Sequence, residues 1–357
     1  MEAVKTSGRN PMMEIWRLVF AVVVALRHTQ YLPWCTEQTR LFRSGTVDFF
    51  FLLSGFLMAQ SIWKCADRPC PLLGTESASF LLKKVKGIYP AYLVALLMDV
   101  VLRLLLTGPQ KGYEYYIWDI LFLRAAGLRG GSGDAALGGA WYLHAMFVAL
   151  AILYPLARKY FDVFRHVLAP LLTIFIYGWF CNVHGNIYFT LSFSNGFCLG
   201  LLRAIAGLCL GVVCHAVCQQ LQKREWSACR TVRGAVTAAE LLGFGGAIWI
   251  ARHCDYSRTD FLGIFLLAVG VTACFSGYSV LMSPAGKIPT AWIGKYSLAL
   301  YLSHYVWIRV LSDWKLPVPF GTQVAIFLVL SAASTFVCVQ TVELGARIVR
   351  SRKKSLH

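Results

Sequence analysis

Between Glu14 and His28 an otherwise apolar run carries four ionisable side chains: Glu14, Arg17, Arg27 and His28. Such groups cost a few kcal/mol each in hydrocarbon, so those that persist face a polar cavity or each other. If the run is helical, the eleven residues from Arg17 to His28 correspond to about 1100° of rotation and about 16 Å of rise. Both side chains then project from one face, and Glu14 falls on it too. A neutral imidazole is the usual proton acceptor near pH 7, the chemistry needed to activate a hydroxyl for group transfer. The plainer reading makes Glu14 and Arg17 interfacial anchors and His28 a hydrogen-bonded structural histidine. Helix geometry alone does not separate the two.

Further polar residues sit in or beside apolar runs. Asp48 opens the segment DFFFLLSGF, and an unpaired carboxylate at that depth is unfavourable. It is expected to pair with Arg17 or His28 across two helices, or else to face water at the membrane edge. Ser54 and Gly55 are small enough for close helix contact. Lys83, Lys84 and Lys86 form a basic cluster ahead of Ile88, Tyr89 and Pro90, with topology alone as the simpler account. Trp141 begins a run that includes His144, and His304 lies in YSLALYLSH. Trp141 fits an interfacial aromatic belt or a sugar-stacking ring, while His144 and His304 fit either substrate contact or structural hydrogen bonding. The twelve Cys are scattered without paired ligand spacing, so no metal site is expected.

The elements that must position these residues follow from composition. With 57% hydrophobic and 14% charged residues, the chain is too apolar for a soluble domain. Backbone amides in hydrocarbon must pair internally, so the apolar runs predict an all-α polytopic membrane protein. Spans are expected near 14 to 32, 46 to 63, 85 to 106, 140 to 157, 167 to 183, 197 to 218, 233 to 251, 260 to 282, 292 to 311 and 322 to 346, about ten in all. The apolar patch from Tyr115 to Leu123 is too short to cross and precedes the Gly-rich stretch 127 to 139, so an interfacial or re-entrant segment is expected there. Cations at Lys5, Arg9, Lys83 to Lys86, Arg158, Lys223, Lys287 and Arg347 to Lys354 fall on one side of this layout, which puts both termini in the cytoplasm. The organisation expected is one transmembrane domain over residues 1 to 349 and a basic tail over 350 to 357. A formal charge of +17 distributed this way argues against nucleic acid.

These residues and their order resemble the acyltransferase-3 family of integral-membrane acyltransferases. Glu14 to Arg17 looks like the family's acidic residue three before an Arg; Arg17 to His28 is similar to its Arg, ten residues, His signature. Asp48 to Phe56 matches D-x-F-F-x-x-S-G-F, and Ile88 to Pro90, Trp141 to Leu143, Leu202 to Gly211 and Tyr296 to His304 follow as further landmarks. Two departures stand out. Gly87 occupies the position just before the Ile-x-Pro segment, where the family's basic pair usually ends. Met146 stands where many members have the Glu of W-S-L-x-x-E.

The resemblance implies O-acyl transfer, most simply O-acetyl transfer, from acyl-CoA to a hydroxyl of a glycan or glycolipid, by a multi-pass protein of the bacterial inner membrane. It implies catalytic His28 and Arg17, with Asp48 added as their partner, and acyl-CoA docking at Lys83, Lys84 and Lys86. Glu14, Ser54, Trp141, His144 and His304 are the substrate-contact candidates. Acyl-CoA, the acceptor and membrane lipid are the expected partners, with a homo-oligomer left open. The rival from another class is a proton-coupled transporter or flippase, which an intramembrane Arg, His and Asp set also suits. It would be favoured by inverted repeats, and none is visible.

Overall fold

The computed structural model describes residues 10–66, 68–108, 116–126, 137–194, 196–224, 229–288 and 290–355. The inner cations Lys5 and Arg9, Tyr115, most of the Gly-rich stretch (127–136) and the final residues 356–357 lie outside the described residues, as do the side chains of Lys353 and Lys354.

In chain order the helices are α1 (Pro11–His28), α2 (Asp48–Trp63), α3 (Leu73–Thr107), α4 (Tyr116–Ile120), α5 (Trp141–Lys159), α6 (Phe161–His184), α7 (Leu199–Gln222), α8 (Arg230–His253), α9 (Thr259–Phe275), α10 (Met282–Ala285), α11 (Ala291–Trp314) and α12 (Phe320–Ser355). A two-residue hairpin pairs β1 (Phe193–Ser194) with β2 (Phe197–Cys198) in the loop before α7. Six helices, α3, α5, α6, α7, α8 and α12, are long and apolar enough to cross a membrane, and α2 and α9 are shorter apolar helices. The remaining long helices, α1 and α11, carry the polar residues of interest. At five residues α4 is too short to span.

Several expected spans begin or end differently, the one near 260 to 282 stopping at Phe275, and two of them bear on the basic residues. α3 starts at Leu73 rather than near 85, so Lys83, Lys84 and Lys86 lie on the helix itself. α12 continues through Arg350 to Ser355 instead of giving way to a separate tail. In both cases good helix formers extend the pattern beyond the apolar run, and hydropathy marks only the part that suits hydrocarbon.

Helix α1 starts where its sequence predicts: the Asn10 side chain accepts from the Met13 amide at 3.0 Å, with Pro11 in the first turn. Helices α5 and α7 form the centre, with 72% and 61% of their apolar windows buried, against 22% for α3 and 17% for α6. Lipid supplies no hydrophobic drive between helices, so close approach through small residues carries the packing. A Cβ on Gly55 of α2 would strike the Leu208 carbonyl of α7, and one on Gly211 of α7 would strike the Leu52 carbonyl of α2. Helix α1 lies against α11: Ser297 Oγ donates to the Arg17 carbonyl at 2.9 Å, and Gly294 leaves room for the Glu14 carboxylate.

Candidate functional site

The last residue of α1, His28, meets His304 of α11. His28 Nδ1 lies 2.8 Å from the Val24 carbonyl, and His304 Nδ1 lies 3.0 Å from the Leu300 carbonyl. A carbonyl oxygen only accepts, so each Nδ1 carries the hydrogen and each Nε2 holds the lone pair. His304 Nε2 is 3.2 Å from His28 Nδ1 and so offers the His28 N–H a second acceptor. His28 Nε2 has no hydrogen-bond partner among the described residues, and the ring is half-buried. Its lone pair is available as a base. The turn Gly138–Ala140 closes over the pair: Gly139 packs on both rings, and its carbonyl accepts from Tyr301 at 2.7 Å.

His28 lines a cavity of about 300 Å³ whose walls come from several loops and helix ends. Tyr31, Tyr188 and Tyr256 make an aromatic wall, with the hydroxyls of Tyr31 and Tyr188 3.1 Å apart and the Tyr188 and Tyr256 rings 4.4 Å between centroids. Burial pushes the Tyr256 phenol above the usual tyrosine range, so it stays neutral. Trp141, Tyr301 and Tyr305 form another part, the Tyr305 ring standing edge-on to His28 at 5.1 Å. Trp141 is buried, with the Arg203 guanidinium 5.4 Å from its ring, so it is a cavity residue and no part of a lipid-facing belt. Three arginines, Arg27, Arg203 and Arg309, line the cavity, and among the described residues no Asp or Glu does.

Asp48 corrects one expectation. It pairs with neither Arg17 nor His28: Arg203 of α7 holds it through two contacts, Nε to Oδ1 at 2.8 Å and Nη2 to Oδ2 at 2.5 Å. The close α2–α7 contact at Gly55 and Gly211 brings the two together, and the forked guanidinium matches the carboxylate. Arg203 also donates to the Phe189 carbonyl at 3.3 Å, tying the outer loop to the pair. Sequence reasoning missed Arg203, although an arginine four residues into the apolar run LGLLRAIAGL is the kind of buried cation that needs a partner. It also missed Arg309, which lies 3.5 Å from Asp99, an acid that also accepts from Tyr116 at 3.0 Å.

The inner half of α1 holds Glu14 and Arg17 as an ion pair at 2.9 Å. Arg17 is close enough to interact electrostatically with Lys84 and Tyr142. Lys84 is half-buried with its ammonium 5.7 Å from the Phe80 ring, while Lys83 and Lys86 are exposed. Ser54 and Tyr142 both point their hydroxyls at the Met146 sulfur, at 3.3 and 3.2 Å. The thioether thus occupies a place where two hydroxyl donors converge. His144 lies elsewhere: it is fully buried beside Asp119, Nε2 to Oδ1 3.6 Å, and the Phe122 ring, and it does not line the His28 cavity. Arg124 already pairs with Asp119 at 2.6 Å, so His144 belongs to a cluster that anchors α4 and its following turn.

A family model described as an acyltransferase domain matches residues 12–342, nearly the whole chain. No curated protein and no solved structure matches it.

Proposed function

The chain belongs to the acyltransferase-3 family of multi-pass membrane acyltransferases, and from that premise we propose that it transfers an acyl group, most simply acetyl, from acyl-CoA to a hydroxyl of a glycan or glycolipid at the bacterial inner membrane. The observation that carries the reading is the His28 ring, which has a free Nε2 lone pair, a second imidazole behind it and a sugar-sized, aromatic-walled cavity in front. Aromatic walls suit the apolar faces of sugar rings, and the lone pair suits a hydroxyl proton.

The reaction runs as follows in this account. The acceptor hydroxyl gives its proton to His28 Nε2 as its oxygen attacks the thioester carbonyl carbon. The carbonyl oxygen gains charge in a cavity lined by Arg203 and Arg309, whose N–H donors favour the adduct. The C–S bond then breaks, and the leaving thiolate takes the proton from His28. While His28 is an imidazolium, its Nδ1–H is shared between the Val24 carbonyl and His304 Nε2, two acceptors that favour the charged ring. His304 is thus a positioning residue, and Asp48 acts through Arg203.

The donor approaches from the other end. Acyl-CoA is made in the cytoplasm and its phosphates are excluded from lipid, so Lys83, Lys84 and Lys86 are assigned as its dock. The Arg17–Glu14 pair and the space near Ser54, Tyr142 and Met146 line the route of the pantetheine arm, about 16 Å along α1 from His28. This requires both termini and the basic cluster on the cytoplasmic side, with ten crossings. Supporting it, the loops after α1, before α5, before α7 and after α8 all contribute to one cavity, as alternating crossings would have them do. The acyltransferase family favours this reading over a transporter. Transfer of label from acetyl-CoA to envelope glycans by the purified protein tests it; CoA thioesters that neither bind nor lose their acyl group would overturn it.

A further inference from the structure

Arg27 stands out among the cavity residues. Arg203 is held by Asp48 and Arg309 by Asp99, but Arg27 has no carboxylate partner among the described residues. The residue is only 8% exposed, and its Nε and Nη1 are shut off from solvent without an acceptor. The Tyr256 ring stands 5.4 Å from its guanidinium carbon. A buried guanidinium cannot shed its charge, and an unpaired buried cation is costly unless something binds to it. Arg27 lines the same cavity as His28, its neighbour in the chain, and among the described residues no acidic side chain lines that cavity to satisfy it.

We propose that the acceptor carries an anionic group, a carboxylate or a phosphate, and that Arg27 binds it while the Tyr256, Tyr188 and Tyr31 wall holds the sugar ring. This rests on the acyltransferase reading and narrows its acceptor to acidic glycans or phosphate-bearing glycolipids. A guanidinium suits either group because its parallel N–H donors match paired oxygens. Docking the anion at Arg27 presents a hydroxyl of the same sugar to the adjacent His28, so the pair sets which hydroxyl reacts. The same positive cavity draws an anion from the aqueous side.

The test uses the full-length protein in lipid nanodiscs with acetyl-CoA and matched nitrophenyl hexosides, hexuronides and hexoside 6-phosphates of gluco, galacto and manno configuration. Binding is read from thermal stabilisation and transfer from acetylated product. Wild type is expected to bind and acetylate at least one acidic series at least tenfold better than its neutral counterpart. Hexuronides and 6-phosphates tell a carboxylate from a phosphate. Arg27→Gln should bring that preference within about twofold while leaving the KM for acetyl-CoA in place, and Arg27→Lys should keep part of it. Equal use of neutral and acidic sugars overturns the proposal and leaves acyl transfer standing. An Arg27→Gln effect confined to the KM for acetyl-CoA also overturns it, because the anion would then be a CoA phosphate. Acidic selectivity in binding with no acetyl transfer sustains the proposal and removes the acyltransferase reading.

Discussion

Replacing Asp48 with Asn exposes how much of the fold depends on the Asp48–Arg203 pair. The two side chains are 3% and 2% exposed, and the substitution removes the carboxylate that pairs with the Arg203 guanidinium. Breaking a buried pair from one side costs about 3–5 kcal/mol because a charge is left uncompensated. The cost should lie toward about 3 kcal/mol, since Arg203 lines the cavity and water can reach part of it. The two single changes should be unequal. In Arg203→Met the orphaned Asp48 can take a proton, whereas in Asp48→Asn the guanidinium cannot lose one. The double variant removes both charges and should be less destabilised than Asp48→Asn alone, giving a coupling of about 2 kcal/mol or more. Equilibrium unfolding in mixed detergent micelles, followed by tryptophan fluorescence across the four proteins, measures this. Additive single effects, or an Asp48→Asn cost below about 1 kcal/mol, would show that the pair does not hold α2 to α7 as argued.

Other outcomes follow from the same geometry. His304→Ala should lower kcat about 10- to 100-fold with little change in either KM, the size expected for losing a hydrogen bond to a charged group of about 1.5–3 kcal/mol; His304→Gln, which keeps an acceptor, should recover part of the rate. A change confined to KM would remove His304 from proton handling. In spheroplasts, on a background with the other cysteines replaced, an impermeant maleimide should label Cys35 and leave the exposed Cys229 unlabelled until the membrane is opened. Burial pushes the Cys35 thiol up, so its labelling should be slow at neutral pH and faster as pH rises. Labelling of Cys229 from outside would invert the topology and move the CoA dock to the wrong face.

Much of the frame was legible because hydrocarbon imposes simple rules. Apolar runs predicted the positions of the long helices, and the eleven-residue spacing of Arg17 and His28 placed both on the face of α1 that meets α11. His28 and His304 were separate candidates in the sequence; only the parallel packing of α1 on α11, which sets Arg17 beside Ser297 and His28 beside His304, makes them a pair. Asp48 was read as pairing with Arg17 or His28, or else facing water; it is buried against Arg203, and the partner depends on which helix lies next door, which single-sequence periodicity does not say. Arg203 was missed for the same reason, its charge being hidden in a run read as simply apolar. His144 shares the sequence neighbourhood of Trp141, yet three positions along a helix set it about 60° round and nearly a turn further along the axis, where it meets Asp119 and not the cavity. Helix ends were misjudged where amphipathic turns extend past the apolar window, as at Leu73 and Ser355.

The central claim is that His28 takes the acceptor proton during acyl transfer. Single-turnover transfer from radiolabelled acetyl-CoA to a mixture of envelope glycans, by wild type and His28→Ala at matched CoA occupancy, addresses it most directly. Labelled glycan is expected with wild type, and at least a hundredfold loss in the variant with CoA binding and thermal stability retained. Transfer by His28→Ala at close to the wild-type rate would contradict it and leave His28 as a structural histidine at the end of α1.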